Sequence, residues 1–169
     1  MSSRPGTDSG HGATLATSYN PAMPRSTAQT AALLASPDDT EAQFYEALQH
    51  ADLDHLMALW ADDEEVACVH PGGPRIVGLP AIRAAFAAVF ERGAVQVQPE
   101  RVRRLHSGAC AIHHVLERVQ LAGDARQAWV IATNVYLKTA LGWRLVLHHA
   151  SPGNASDMQE IVADAGTLH

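Results

Sequence analysis

Ten histidines in 169 residues offer acid–base chemistry, and position decides which of them could use it. His70 ends an apolar run, Val66-Ala67-Cys68-Val69, and is followed at once by Pro71-Gly72-Gly73. A polar residue at the last position of a strand, before a turn that proline enforces, belongs at the rim of whatever crevice the sheet closes. Its imidazole has an ordinary pKa near 6.5, suited to proton transfer at neutral pH. A structural role, bonding the Pro-Gly turn, is the competing reading. His148 and His149 are adjacent, so an extended backbone sends them to opposite faces. His149 shares a face with Trp143, Leu145 and Leu147, and His148 with Arg144 and Val146. This favours His149 in the cavity. His113 and His114 repeat the pattern two strands away, roughly 9–10 Å, too far for a shared metal bond near ~2 Å. No pair of histidines four residues apart is present, and neither a metal centre nor a cofactor is expected.

Other side chains could bind rather than react. Trp60, Tyr45 and Phe86 are either pocket wall or core. Thr133 and Asn134 interrupt an apolar strand, and whichever points inward needs a partner. With His113 they complete the candidate ligand-binding set. Asp62, Asp63, Glu64 and Glu65 read as a solvated turn, and Arg83 as surface or rim. No G-x-S-x-G motif and no phosphate-cradling glycine loop occurs, which disfavours hydrolase and nucleotide chemistry.

These side chains need elements to hold them. Ser36, Pro37 and Asp39 form an S-x-x-D capping box with proline at the first helical position. Phe44, Leu48 and Ala51 then recur at helical spacing. Asp52 can cap a second helix with Leu53, Leu56, Met57 and Trp60 on its apolar side. A short hairpin, residues 66–77, follows. A third helix from Pro80 carries Ile82, Phe86, Val89 and Phe90 as a stripe, stopped near Gly93. Beyond it the period changes to two, with strands near 95–98, 101–106, 109–120, 127–138 and 143–151 separated by short turns. Those turns imply antiparallel neighbours. Three N-terminal helices on one face of a curved, mainly antiparallel sheet make an α+β, cone-shaped roll. Trp129, Ile131 and Val135 face one way and Val130, Ala132 and Tyr136 the other, so the outer face also needs cover. A homodimer through that face is expected.

Composition narrows the classes. Twelve basic against eighteen acidic residues give a net charge of −6, with no basic stripe, which argues against nucleic acid as partner. No apolar run approaches the roughly 18 residues of a membrane span. Cys68 and Cys110, each among apolar residues, read as reduced thiols. Residues 1–36, rich in Ser, Thr, Ala, Gly and Pro, read as a disordered or weakly ordered tail, residues 37–152 as the domain, and 153–169 as a second tail. The absence of a convincing leader makes the cytoplasm the expected location.

The order of elements, with Ala51-Asp52-Leu53-Asp54, Leu59-Trp60-Ala61-Asp62-Asp63, Gly78 with Ile82, and Gly142-Trp143-Arg144-Leu145 leading to His148-His149-Ala150-Ser151, resembles the nuclear transport factor 2-like superfamily. Its SnoaL-like and ketosteroid-isomerase-like branch is the nearest. The resemblance spans residues 38–152 and implies a cavity for a small, partly apolar organic molecule. It also implies cofactor-free isomerase, cyclase or dehydratase chemistry by proton transfer beside a carbonyl. His70 would then be acid or base, with His149 and Tyr45 as polarising donors. The oxyanion tyrosine of ketosteroid isomerases aligns with Phe44, one residue before Tyr45, and their basic aspartate with His70. No aspartate lies in the meander strands, where Glu117 is the one buried acid to consider, so steroid isomerisation itself is not expected. The alternative is a non-catalytic dimeric ligand-binding or assembly module of the same fold.

Overall fold

The Ser36 hydroxyl accepts a hydrogen bond from the Asp39 N–H at 3.1 Å and donates one to the Asp39 carboxylate at 2.7 Å. This caps and starts α1 (Pro37–His50). The computed structural model describes residues 35–120 and 126–154. The readings of the two tails, and of the turn between the strands near 109–120 and 127–138, fall largely on residues outside these. α1 buries Phe44, Ala47 and Leu48 together with Thr40, Glu41 and Tyr45. It stops at Ala51, which takes a left-handed conformation (φ 52°). The Asp52 carboxylate accepts from the His55 N–H at 3.0 Å and opens α2 (Leu53–Ala58), which buries Leu56.

β1 (Ala67–Val69) and β2 (Arg75–Val77) form the short hairpin. Gly78, at φ 85°, turns the chain into α3 (Leu79–Phe90), which buries Ile82 and Phe86. The meander is β3 (Gln96–Ser107), β4 (Cys110–Gln120), β5 (Gln127–Thr139) and β6 (Gly142–Gly153). The sheet order is β2-β1-β6-β5-β4-β3. Only β1 with β6 is parallel among the strand pairs. Three helices on one face of this sheet give the α+β roll that the periodicities predict. The runs 95–98 and 101–106 are one bent strand rather than two. The register slips between Glu100 and Arg103, and Arg101 sits at φ 45°, a bulge two residues beyond Pro99.

A second bulge matters more. Val135 pairs with Leu147 but Tyr136 pairs with Leu145, leaving Val146 as the extra residue in β6. The alternation therefore changes phase within the strand. Trp143 and Leu145 point into the core on one side of the bulge, and His148 and Ala150 on the other. His149 is exposed. The expectation that His149 faces the cavity fails for this reason, and His148 takes that place.

The inner face carries Ala111, His113, Val115 and Glu117 from β4, and Val130, Ala132, Asn134 and Tyr136 from β5. The outer face carries a cross-strand apolar row, Leu105–Ile112–Val135–Leu147. Beside it runs a polar row, Arg103–His114–Thr133–His149, and on the far side of that lies Ile131, 37% exposed. Among the described residues no helix is long and apolar enough to cross a membrane. Cys68 and Cys110 are free thiols.

Candidate functional site

Two i,i+4 pairs build the centre of the molecule. Glu41 and Tyr45 share a face of α1, and His113 and Glu117 share the inner face of β4. Beside the β4 pair on the same sheet face are Asn134 on β5 and His148 on β6, directly paired across the strands. The result is a buried polar seam between helix and sheet.

Its hydrogen bonds have one consistent direction. The Tyr45 hydroxyl donates to Glu117 Oε1 at 2.8 Å, and Asn134 Nδ2 donates to the Tyr45 oxygen at 3.4 Å. Asn134 Oδ1 lies 2.7 Å from His148 Nδ1. An amide oxygen only accepts, so His148 carries its proton on Nδ1 and keeps a lone pair on Nε2. Burial, helped by repulsion from His70 and His149, drives the His148 pKa down to about 3. The ring is neutral throughout the physiological range. Tyr45 is held protonated, its pKa well above 10 through burial and then through the neighbouring Glu117 and Glu41 carboxylates.

Glu117 is the group poised for proton transfer. Burial pushes its carboxyl up to about 7, the Glu41 charge adds to the rise, and the Tyr45 hydrogen bond works against it. The carboxyl meets a cavity of about 260 Å³. Leu48, Phe86, Val97 and Val130 are among its apolar walls, and His70 and His148 line it as well. The His70 ring packs 4.8 Å from Phe86, and its Nε2 is buried without a hydrogen-bond partner among the described residues. Burial lowers its pKa below 6.5. A neutral imidazole and a carboxyl that titrates near neutrality thus share one small, mostly apolar space, an arrangement suited to general acid–base chemistry.

The other candidates are placed differently. Phe86 lines the cavity. Tyr45 stands behind Glu117, and Asn134 behind Tyr45 and His148. Thr133 points to the outer face, where its hydroxyl meets His114 Nδ1 at 3.1 Å. Trp60 is buried away from this cavity, beside a different hollow. His113 is fully buried and lies 2.9 Å from Glu41 Oε2, which also accepts from the Tyr136 hydroxyl at 3.2 Å. Asp38, Glu41 and His113 bring three ligand atoms within 4.8 Å of one another. Arg104 Nε donates to Asp38, and Tyr136 and His113 Nδ1 engage Glu41, while His113 Nε2 is buried without a hydrogen-bond partner among the described residues.

Sequence reasoning left Glu117 and His148 out of the site. Glu117 had a legible signal, because period two puts it on the same face as Val115 and Val119. Glu41 had one too, three residues before Phe44 on the apolar side of α1.

A family model for the SnoaL-like domain matches residues 38–155. The chain belongs to the SnoaL-like family. Solved structures of the nuclear transport factor 2-like superfamily share the fold of this SnoaL-like chain. A proposed calcium/calmodulin-dependent protein kinase type II association domain from Thiobacillus denitrificans is 35% identical, with a TM-score of 0.67, over 72% of this chain and 98% of that one. A proposed dehydratase of the NTF2-like family from Streptomyces avermitilis is 31% identical, with a TM-score of 0.64, over 69% and 92%. A ketosteroid isomerase-like protein from Erwinia carotovora atroseptica, 19% identical with a TM-score of 0.59 over 72% and 97%, shares the fold alone. No curated protein matches the chain.

Proposed function

We propose that the inner cavity of this SnoaL-like domain binds a small, partly apolar carbonyl compound and transfers a proton on it without a cofactor, as an isomerase, cyclase or dehydratase does. The observation that carries this reading is Glu117, an acid raised to about 7, oriented by Tyr45 at 2.8 Å and opening on a cavity with mostly apolar walls. The Glu117 carboxylate takes the proton from the carbon beside the carbonyl, and His70 Nε2 donates to the oxygen as charge develops there. The neutral His148 supplies an acceptor. His149, on the outer face, has no part in it. A 260 Å³ cavity, just below the usual range of about 300–1,000 Å³, suits a compact ligand. The similarity to a proposed dehydratase supports the reaction class.

The test is deuterium exchange at the carbon beside the carbonyl of a compact bicyclic ketone, 2-tetralone, followed by mass spectrometry in D2O. Wild type accelerates exchange, and Glu117→Gln loses roughly 10²–10⁴-fold of that acceleration, the usual worth of a positioned general base. Equal rates with both proteins contradict the proposal.

A second reading has its own support. The 35% identity to a proposed association domain and the apolar row Leu105–Ile112–Val135–Leu147 favour a homodimer through the outer sheet face. In that case the module assembles or binds ligand without catalysis. We place the dimer in the cytoplasm in either reading. A dimer that binds 2-tetralone yet exchanges no proton would select the second.

A further inference from the structure

A second hollow, of about 550 Å³, shares no lining residue with the inner cavity. It lies where α2, residues 58–63, the start of α3 and the β5–β6 hairpin meet. Met57, Leu79, Leu137, Leu141 and Val146 give it apolar walls. Two of its lining residues each carry a hydrogen-bond donor that has no answer. Trp60 Nε1 and Arg144 Nη1 are buried without a hydrogen-bond partner among the described residues, in residues only 4% and 7% exposed.

Buried polar groups in native proteins are nearly always paired, and an unpaired buried charge is expensive. Both groups are donors only: the indole offers one N–H, and the guanidinium five with no acceptor. Their complement is therefore an acceptor without protons to give, carrying negative charge to match Arg144. Asp62 and Asp63 also line the hollow and are exposed, and no ion pair joins either to Arg144 among the described residues. These rim carboxylates raise the cost of a second negative charge and so disfavour phosphate. The apolar walls call for an apolar body.

We propose that this hollow is a second ligand site, which binds a small monocarboxylic acid with an apolar tail, its carboxylate held by Arg144 and Trp60. The volume lies within the range of small-molecule sites, about 300–1,000 Å³. The site is independent of the chemistry assigned to Glu117.

The experiment titrates 15N-labelled full-length protein with hexanoate and follows the Trp60 indole N–H, assigned by its disappearance in Trp60→Phe. The expected result is a saturable shift of that signal. Arg144→Met weakens hexanoate binding at least about tenfold, the usual effect of losing a charged hydrogen bond. This variant removes one unpaired buried nitrogen and leaves an apolar chain of similar length, so its Tm should stay close to that of wild type. Hexanol, hexylamine and inorganic phosphate leave the indole signal in place. Glu117→Gln, in the other cavity, binds hexanoate as wild type does. The proposal is overturned by unchanged binding in Arg144→Met, by an equal response to hexylamine or phosphate, or by the lack of any saturable shift. It is equally overturned if hexanoate fails to bind while Arg144→Met changes the oligomeric state, since the occupant is then a carboxylate of a second copy.

Discussion

Replacing Glu117 with glutamine should change how stability depends on pH, and the size of the change follows from the position of the carboxyl. Its ordinary pKa is 4.5 and in the fold it is about 7. A difference of 2.5 units at 1.36 kcal/mol each is about 3 kcal/mol. Between these two values the folded protein binds more protons at this site than the unfolded chain, so stability falls as pH rises. The penalty is absent below pH 4.5 and complete above pH 7. Glutamine keeps the shape and an oxygen to accept from Tyr45, but it cannot ionise. Glu117→Gln should therefore match wild type near pH 4.5 and exceed it by up to about 3 kcal/mol at pH 8. His148 acts in the opposite sense below pH 6.5, and it is common to both proteins, so the difference between them isolates Glu117. Urea unfolding of both proteins at several pH values from 4.5 to 8 measures it. Parallel stability curves for the two proteins would refute the assignment of a raised carboxyl.

Three further outcomes follow. His148, neutral in the fold with a pKa of about 3 against 6.5 when free, costs stability as pH falls through that window, by about 4–5 kcal/mol when fully expressed. His148→Gln should thus withstand acid better, with its unfolding midpoint moved to lower pH in a circular-dichroism titration. Phe44 is fully buried and touches the Tyr45, Phe86 and His148 rings at centroid distances of 5.1–6.2 Å. Phe44→Ala should cost about 3–5 kcal/mol in urea unfolding, and a loss under about 1 kcal/mol would mean that the helix does not pack there. Ile131→Glu, on the outer face, should leave the monomer fold intact while shifting sedimentation from dimer to monomer, and an unchanged species would remove that face as the interface.

Local signals made much of the fold legible. The capping box at Ser36, the carboxylate cap at Asp52 and the Ile82–Phe86 stripe are each decided within a few residues, and helices start where they predict, although the second ends at Ala58 and leaves Trp60 to bridge Leu145. Alternation along β5 likewise separates the inner from the outer face, with Val130, Ala132 and Tyr136 buried. The phase change in β6 is of another kind. No glycine or proline marks Val146. The bulge goes with partners far away in sequence: Leu145 donates its N–H to the Leu59 carbonyl and accepts from the Ala61 N–H, both at 2.9 Å, while β1 pairs with the strand just beyond. Period-two reasoning had no access to that contact and so assigned the wrong histidine. The same gap hid the polar seam. Glu41, Tyr45, Glu117 and Asn134 are unremarkable apart, and only the packing of α1 against β4 and β5 lets one shift the proton affinity of another.

The measurement closest to the central claim is the titration of the Glu117 carboxyl by 13C NMR, assigned through Glu117→Gln, with and without 2-tetralone. The account predicts a midpoint near 7 for the free protein. With the ketone filling the cavity, the midpoint should move higher, because an apolar ligand deepens the desolvation that raises it. A midpoint near 4.5 that ignores the ketone would contradict the account, since Glu117 would then be an ordinary solvated acid that meets no ligand.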